Sequence, residues 1–191
     1  MQQGIRSEED IDSRNREDEE VIERLSKEQG RWIEDVDDFL RSYYGEKFDS
    51  GSESFVYRKD KGPVIKSRSL VGYNTIQEAL LSIYFHNELF PETAMTVVGF
   101  GKSDGELTVI FEQLYIAGIY ATKEEIDQFI KDRFMAENDE SVIGGTSYKT
   151  DRYLLQDLKP KNVIVIEIDG ERKFFVIDGD FYYNPQGRVH Y

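Results

Sequence analysis

Three pairs of strand-like segments constrain the fold of this chain more than any other feature of its sequence. The pairs are SFVYR with PVIKS, AMTVVGFG with LTVIFEQL, and NVIVIEI with KFFVID. Each pair is joined by a short charged turn that contains glycine, namely KDKG, KSDGE and DGER. Runs of β-branched and aromatic residues on both sides of such a turn are typical of β-hairpins. The chain is therefore expected to form antiparallel sheet.

Helical segments separate the hairpins. TIQEALLSIYFHNEL follows the first hairpin, with Asn74 as a candidate N-cap and Pro91 just after its end. TKEEIDQFIKDRF follows the second hairpin, with Thr122 as the N-cap and two glutamates in the first turn. ENDESVIGGTSYK is polar and rich in glycine, which indicates a loop. The pattern predicts an α+β protein with a small sheet, one helix against it, and a second block that contains the third hairpin.

The N-terminal part has a different composition. Residues 7–27 are dense in charge and poor in apolar residues, which is typical of a solvated helix or a partly disordered arm. Residues 30–44 carry apolar side chains at helical spacing, including Trp32, Val36 and Leu40, and predict an amphipathic helix packed on the core. A helical extension is therefore expected in front of the hairpins.

Length and charge limit the possible partners. The chain has 191 residues, of which 39% are hydrophobic, so it can bury one core or two small lobes that share a cleft. Its 24 basic and 38 acidic residues give a formal charge of −14, which repels nucleic acids and anionic membranes. We expect neither as a partner, and any anionic ligand needs a local basic pocket.

The cysteine and histidine counts exclude some kinds of site. The absence of cysteine rules out disulfides and cysteine-based zinc sites, and two histidines are too few for a typical histidine-rich metal site. The N-terminus has no apolar run, and no segment approaches the roughly 20 apolar residues of a membrane helix. A soluble, cytoplasmic protein is expected.

A group of polar residues stands at one end of the third hairpin. The motif DLKPKN, residues 157–162, comes directly before the hairpin, whose returning strand ends in VIDGDF. Asp178 follows Asn162 by 178 − 162 = 16 residues, the length of two short strands and a tight turn. The first hairpin carries Lys66 in PVIK, after a loop that contains Gly51. Phosphoryl transfer from ATP needs cations, oxygen ligands for Mg²⁺ and a carboxylate for the acceptor hydroxyl.

In this order, the motifs resemble those of the protein-kinase-like superfamily. PVIK is similar to the strand that ends in the kinase lysine, DLKPKN to the D-L-x-x-x-N catalytic loop, and VID to the strand that ends in the metal-binding aspartate. FEQLYIAG resembles a kinase hinge, with Phe111 guarding the nucleotide pocket. HNELFPETAMTVVGFG together with DLKPKN is most similar to the compact kinase domains in polyvalent proteins of phages and mobile elements. The resemblance covers roughly residues 48–184.

The resemblance implies a two-lobed kinase-like fold. Residues 1–47 would be an acidic helical extension, and residues 48–114 an N-lobe with a small antiparallel sheet and one helix. Residues 115–191 would form a strongly reduced C-lobe that contains the catalytic-loop hairpin.

The resemblance also implies the roles of the residues in the second block. Asp157 would be the general base or would orient the acceptor hydroxyl, and Lys159 would neutralise the transferred phosphoryl group. Asn162 and Asp178 would bind Mg²⁺. Asp180 is an alternative or second metal ligand, because Gly179-Asp180 stands where kinases usually have Phe-Gly.

In the first block, the resemblance implies a nucleotide site. Lys66 would hold the α- and β-phosphates of ATP and pair with a glutamate of the following helix. Glu78 is the first candidate for this pairing, because it is expected in the middle of the helix, and Glu88 is the second. The Gly51 loop would cover the phosphates. The backbone of Glu112 and Leu114 would face the adenine.

Three functions remain open. The first is an ATP- and Mg²⁺-dependent phosphotransferase that acts on a hydroxyl of a protein or small molecule. The second is a nucleotide-binding pseudokinase, and the third is an acidic protein-interaction module on a kinase-like scaffold. Leu155-Gln156 replaces the usual His-Arg before Asp157, and 191 − 178 = 13 residues follow Asp178. These departures favour nucleotide binding over phosphoryl transfer to a protein.

Overall fold

The computed structural model of the protein describes residues 8–45, 47–50, 54–58, 61–71, 73–139 and 146–185. These residues form α-helices, β-strands and two 3₁₀ turns, Pro91–Thr93 and Pro160–Asn162. The helices and strands are α1 (Glu8–Glu28), β1 (Trp32–Ile33), α2 (Val36–Tyr44), β2 (Lys47–Ser50), β3 (Ser54–Arg58), β4 (Val64–Ser69), α3 (Ile76–Leu89), β5 (Met95–Ser103), β6 (Glu106–Gln113), β7 (Ile119–Tyr120), α4 (Lys123–Phe134), β8 (Glu137–Asn138), β9 (Tyr148–Lys149), β10 (Tyr153–Gln156), β11 (Val163–Ile168), β12 (Glu171–Val176) and β13 (Asp180–Tyr183).

The chain divides into two compact units. The first unit contains residues 1–80 and 95–115, and the second contains residues 81–94 and 116–191. Helix α3 is continuous, and its first five residues belong to the first unit while the rest belong to the second. The assignment of an extension, an N-lobe and a C-lobe at residues 47 and 114 stays a prediction.

The first unit contains a six-stranded sheet whose strands have the order β1-β5-β6-β4-β3-β2. The first two predicted hairpins are confirmed as β3/β4 and β5/β6, both antiparallel. In the turn of the second hairpin, Asp104 and Gly105 have φ of 52° and 83°. Two positive φ values in a two-residue turn match the twist of the strands that it joins. The predicted chain order of strand, strand, helix, strand and strand is therefore correct. Strands β1 and β2 extend the sheet.

The predicted helix at residues 30–44 is wrong in its first part. The helix α2 begins at Val36, because Asp35 is its N-cap and the Asp35 side chain accepts a hydrogen bond from Asp38 N at 2.8 Å. Trp32 and Ile33 instead form β1, which pairs with β5 in parallel. Helix α2 packs into a core of this unit, and its buried residues are Val36 and Leu40, with Tyr57, Ile65 and Ile110 beside them.

Glycines allow β1 to approach β5 closely. A Cβ atom on Gly101 would lie 2.3 Å from the Ile33 carbonyl oxygen, and one on Gly99 would lie 2.5 Å from the Arg31 carbonyl oxygen. Any larger residue at these positions would push the strand away. Helix α1, predicted as a solvated helix or arm, is held to the same strand by an ion pair between Glu19 and Lys102 at 2.5 Å.

The second unit contains α4 and two small sheets. The third predicted hairpin is confirmed as β11/β12, with Asp169 and Gly170 at φ of 54° and 79° in its turn. Strand β7 adds to this hairpin, while the other sheet has the order β13-β10-β9-β8. Helix α4 has the predicted N-cap, since Thr122 and Glu125 form a reciprocal capping box. The unit has its own core, formed mainly by residues of α3, α4, β10, β11 and β12.

The predicted loop at residues 137–149 is partly strand. Its two described ends form β8 and β9, which pair with each other. The residues between them, 140–145, lie outside the described part. In the described part of the chain, no helix is long and apolar enough to cross a membrane.

Candidate active site

The motif DLKPKN forms a tight loop between β10 and β11. Asp157 follows β10 with a φ of 56°, which turns the chain sharply. Its carbonyl oxygen accepts a hydrogen bond from Lys159 N at 2.9 Å, and the Lys159 carbonyl oxygen accepts one from Asn162 N at 2.8 Å. Pro160 begins the 3₁₀ turn, where its fixed φ and missing N–H carry no penalty. The backbone therefore brings three polar side chains of one short segment together.

Both carboxylate oxygens of Asp157 are held by neighbours in this loop. The Lys159 ammonium donates to Oδ1 at 2.7 Å, and Asn162 Nδ2 donates to Oδ2 at 3.0 Å. Asn162 Nδ2 also donates to the Asp157 carbonyl oxygen at 2.8 Å. The side chain of Asp157 is 39% exposed, whereas Asn162 is buried. The result is a carboxylate of fixed orientation that an external hydroxyl group can reach.

Asp178 lies at the same end of the β11/β12 hairpin as Asn162. Val163 pairs with Val176, and Ile177 N donates to the Asn162 carbonyl oxygen at 2.9 Å. The 16-residue separation in the sequence thus corresponds to neighbouring positions, as predicted. Asp178 Oδ1 accepts a hydrogen bond from Gly179 N at 3.0 Å, which fixes the carboxylate relative to the turn.

Asp180 is a further acidic residue beside the DLKPKN loop. It begins β13 and pairs with Gln156, the residue that immediately precedes Asp157. Between the two aspartates, Gly179 has a φ of 152°, and a Cβ atom there would lie 2.9 Å from Phe181 Cζ and 3.1 Å from Leu158 Cδ2. Sequence reasoning did not identify Gly179 as a site residue. The sequence feature that could have identified it is its position between two acidic residues at the end of a strand.

The residues at this hairpin end fit a magnesium ion. Because Asn162 Nδ2 is used by Asp157, the amide offers its oxygen as a ligand, and Asp178 offers a carboxylate. Mg²⁺ commonly takes one or two protein carboxylates together with substrate phosphates and water. Within the described ranges, no three His, Cys, Asp or Glu residues are grouped as an all-protein metal cage. A donor set of this size suits an ion that binds together with a nucleotide.

Lys66 occupies the middle of the sheet in the first unit. It lies on β4, where it pairs with Val56 on one side and Phe111 on the other. The lysine is buried, and Phe111 is fully buried. Burying an ammonium group is costly unless anions compensate it, so the position of Lys66 is unusual for a lysine that only solvates a surface.

The two glutamates that were predicted as partners of Lys66 have different surroundings. Glu78 was expected in the middle of the helix, but it lies in the first turn of α3, because the helix begins at Ile76. The Thr75 carbonyl and hydroxyl oxygens accept from Ala79 N and Glu78 N, so Thr75, and not the predicted Asn74, is the N-cap.

Glu88 lies in the last turn of α3, as predicted. It accepts a hydrogen bond from the Tyr153 hydroxyl at 2.8 Å, within the second unit. This contact gives Glu88 a structural role there.

The residues predicted to form the hinge lie at the end of β6. Glu112 is inside the strand and pairs with Ile65 and Thr96, whereas Leu114 follows the strand and is 58% exposed. Gly51 lies outside the described residues. Lys66, Glu78, Glu112 and Leu114 belong to the first unit, and Asp157, Lys159, Asn162 and Asp178 belong to the second. The predicted approach of Lys66 to Asp178 joins the two units and stays a prediction.

The sequence matches a known protein family over most of its length. A family described as "Serine/Threonine/Tyrosine Kinase found in polyvalent proteins" matches residues 15–185, which is 185 − 15 + 1 = 171 of the 191 residues. No curated protein and no solved structure matches the chain significantly.

Proposed function

Because the chain belongs to the family of serine/threonine/tyrosine kinases found in polyvalent proteins, we propose that it transfers the γ-phosphoryl group of ATP to a hydroxyl group in a Mg²⁺-dependent reaction. The acceptor belongs to a protein or a small molecule. The family supports kinase-like activity in general, and the residues of the DLKPKN loop support the specific reaction.

The observation that carries the proposal is the fixed carboxylate of Asp157. A group that accepts a proton from an attacking hydroxyl must be oriented, ionised and accessible. Lys159 and Asn162 orient both oxygens of Asp157, and its side chain remains 39% exposed. These two contacts and this exposure support the assignment of Asp157 as the proton acceptor.

The other residues have complementary roles. Asp157 orients the acceptor hydroxyl and receives its proton as the oxygen attacks the γ-phosphorus, while the bond from the γ-phosphorus to the β,γ-bridging oxygen breaks and ADP leaves. Lys159, which lies beside this carboxylate, neutralises negative charge on the transferred group. Lys66 binds the α- and β-phosphates, and the segment Glu112–Leu114 receives the adenine.

Asn162 and Asp178 hold the metal through their side-chain oxygens, and Asp180 is a further candidate ligand. When bound, Mg²⁺ supplies positive charge that neutralises the phosphate oxygens. The contacts of Asn162 Nδ2 with Asp157 connect the base directly to one of the metal ligands.

Two substitutions test the proposal by their different effects. Asp157→Asn removes the proton acceptor, so we expect radiolabelled phosphate transfer or ATP hydrolysis to fall by roughly 10²-fold or more with nearly unchanged ATP affinity. Asp178→Asn removes a ligand of the ground state as well as of the transition state, so it should weaken Mg·ATP binding itself. Asp169→Asn is the matched control, because it makes the same change of charge at the other end of the same hairpin.

The outcome also separates the alternative functions. If the wild type binds Mg·ATP but transfers phosphate no faster than Asp157→Asn, the protein is a nucleotide-binding pseudokinase. If the wild type binds no nucleotide, the kinase-like fold is a scaffold, and its acidic surface is the feature to test for a partner.

A further inference from the structure

Two hydroxyl groups from α3 and the turn after it contact the backbone on both sides of Asp178. One belongs to Ser82, in the middle of α3, and the other to Thr93, in the 3₁₀ turn that follows. Both residues are almost completely buried, and both belong to the same compact unit as Asp178.

Ser82 holds the chain after Asp178. Its hydroxyl oxygen accepts a hydrogen bond from Phe181 N at 2.9 Å, three residues beyond Asp178. The Phe181 ring is fully buried, and its centroid lies 5.4 Å from that of His86 and 5.6 Å from that of Phe90. The backbone and the side chain of Phe181 are therefore both fixed against α3 and the residue that follows it.

Thr93 holds the chain before Asp178. Its hydroxyl group donates to the Val176 carbonyl oxygen at 2.5 Å, two residues ahead of Asp178. Thr93 is itself fixed, because its backbone N–H donates to the Phe90 carbonyl oxygen at 3.0 Å. The contact is made at Val176, the last residue of β12.

Between these two anchors the chain has little freedom. Gly179 is packed so closely against Gln156, Leu158 and Phe181 that a single additional carbon would collide with them. Asp178 Oδ1 is bound to the N–H of this same glycine. A change in the backbone at either anchor therefore moves the Asp178 carboxylate.

We propose that Ser82 and Thr93 are positioning residues that hold the Asp178 turn in the geometry that binds Mg·ATP. The inference rests on the proposed function, since it assumes that Asp178 is a metal ligand. Residues behind a metal ligand commonly matter because they fix the orientation of the ligand. The second half of α3 and the turn after it thus support the metal site through one hydroxyl group each, in addition to packing the core.

The test measures how binding of a fluorescent ATP analogue to the full chain depends on Mg²⁺. Thr93→Val keeps the shape of the side chain but loses the hydroxyl group, whereas Thr93→Ser keeps the hydroxyl group. We expect Thr93→Val and Ser82→Ala each to raise the Mg²⁺ concentration for half-maximal binding roughly 10-fold, with Thr93→Ser close to the wild type. Binding of the analogue in EDTA should be the same for all variants.

A second measurement detects the contact directly. Hydrogen exchange at the Phe181 amide should be faster in Ser82→Ala, because the amide loses its acceptor. Ile83→Val is the control for changes in α3 packing, since Ile83 is buried on the same helix and should leave the Mg²⁺ midpoint unchanged.

Two kinds of result would overturn the inference, and they differ from a failure of the proposed function. Equal midpoints for the wild type, Ser82→Ala and Thr93→Val would show that the hydroxyl groups do not position Asp178. A shift in Thr93→Ser or Ile83→Val as large as that in Thr93→Val would show that packing alone is responsible. A wild type without Mg²⁺-dependent binding would overturn the proposed function, and this inference with it.

Discussion

Gly179, between the candidate metal ligands Asp178 and Asp180, occupies a position that favours glycine. Its φ of 152° is unfavourable for residues with a Cβ atom, and the space around its Cα is filled by Leu158, Phe181 and the Gln156 carbonyl oxygen. Glycine adopts this conformation without steric strain because it has no Cβ atom, whereas any other residue here would be strained. At this position the surrounding structure includes the loop that carries Asp157.

The first residue-scale prediction compares two glycines of the second unit. Gly179→Ala should lower the free energy of unfolding by about 1–3 kcal/mol, because it adds both backbone strain and a collision. It should also weaken Mg·ATP binding, since Asp178 is adjacent. The measurements are urea unfolding and a nucleotide titration.

Gly170→Ala is the control for this comparison. Gly170 has a φ of 79° in the β11/β12 turn, with open space where a Cβ atom would be. The substitution should cost stability but leave Mg·ATP binding unchanged. Equal effects of the two substitutions on binding would contradict the role assigned to Gly179.

At the scale of elements, α4 is stabilised by its capping box. The Thr122 hydroxyl oxygen accepts from Glu125 N at 3.3 Å, and the Glu125 side chain accepts from Thr122 N at 2.9 Å. We expect Thr122→Ala to lower the free energy of unfolding by about 1 kcal/mol in urea, because a helix N–H loses its acceptor. Arg172→Ala is the comparison, since it removes only a solvent-exposed ion pair with Glu125 and should cost less than about 1 kcal/mol.

A hydrogen-bond network connects α4 with β9. Burial opposes ionisation of Asp127, but hydrogen bonds from Lys123 and Tyr148 outweigh it and hold the pKa of the Asp127 carboxyl below its usual value. The Tyr148 hydroxyl donates to Asp127 Oδ1 at 2.7 Å. Burial and this hydrogen bond raise the pKa of the Tyr148 phenol.

The pH dependence of stability tests this network. A carboxyl group whose pKa is lower in the folded state stabilises the fold above its unfolded pKa of about 4, and this contribution is lost as the pH falls through the folded value. Tyr148→Phe should therefore destabilise the protein more at pH 7 than at pH 3.5 in urea unfolding. Tyr183→Phe removes a hydroxyl from a half-exposed side chain as the control. A loss of stability in Tyr148→Phe that is independent of pH would contradict the assignment.

Local patterns predicted the elements that local interactions stabilise. The three hairpins and α4 carry their turn and capping residues in the sequence, and all four are present. Strands β7 to β10 and β13 were missed, because each has only two to four residues, which is too short for a recognisable strand pattern.

The candidate site residues show a difference between local patterns, which the sequence reveals, and long-range contacts, which it does not. The DLKPKN loop closes on itself, so its spacing predicted its geometry, whereas Glu78 was misplaced because the helix start depends on Thr75. Ser82 was missed, since a serine within an apolar helix has no local signal of its partner, Phe181, which is 99 residues away.

At the scale of the whole molecule, the acidic surface opposes binding of the proposed ligand, ATP. A formal charge of −14 repels an anionic nucleotide at long range. Binding of ATP thus requires local cations, and the proposal assigns this role to Lys66, Lys159 and the metal. The protein should bind ATP weakly without Mg²⁺.

A thermal unfolding measurement tests this expectation. Mg·ATP at about 100 times its Kd should stabilise the fold by about 2.7 kcal/mol, which for a chain of this size raises Tm by roughly 5–10 °C. Because the acidic surface can also bind cations nonspecifically, Mg²⁺ alone is the control. Asp178→Asn should reduce the shift caused by Mg·ATP and leave the effect of Mg²⁺ alone unchanged. The absence of any shift at millimolar Mg·ATP would favour the scaffold function.

The parallel pairing of β1 with β5 has a consequence for the solubility of the protein. Without β1, the nine-residue β5 would be the outer strand of its sheet, with backbone groups open to another polypeptide. Exposed strand edges promote self-association, and proteins commonly shield them. Gly99 and Gly101 have no side chains, which lets the N-terminal segment lie close to β5. If that segment were absent, the edge of β5 would be flat and unshielded at these two positions. Residues before the first hairpin therefore shield this strand edge from self-association. A fragment that begins at residue 48 would be prone to pair with copies of itself.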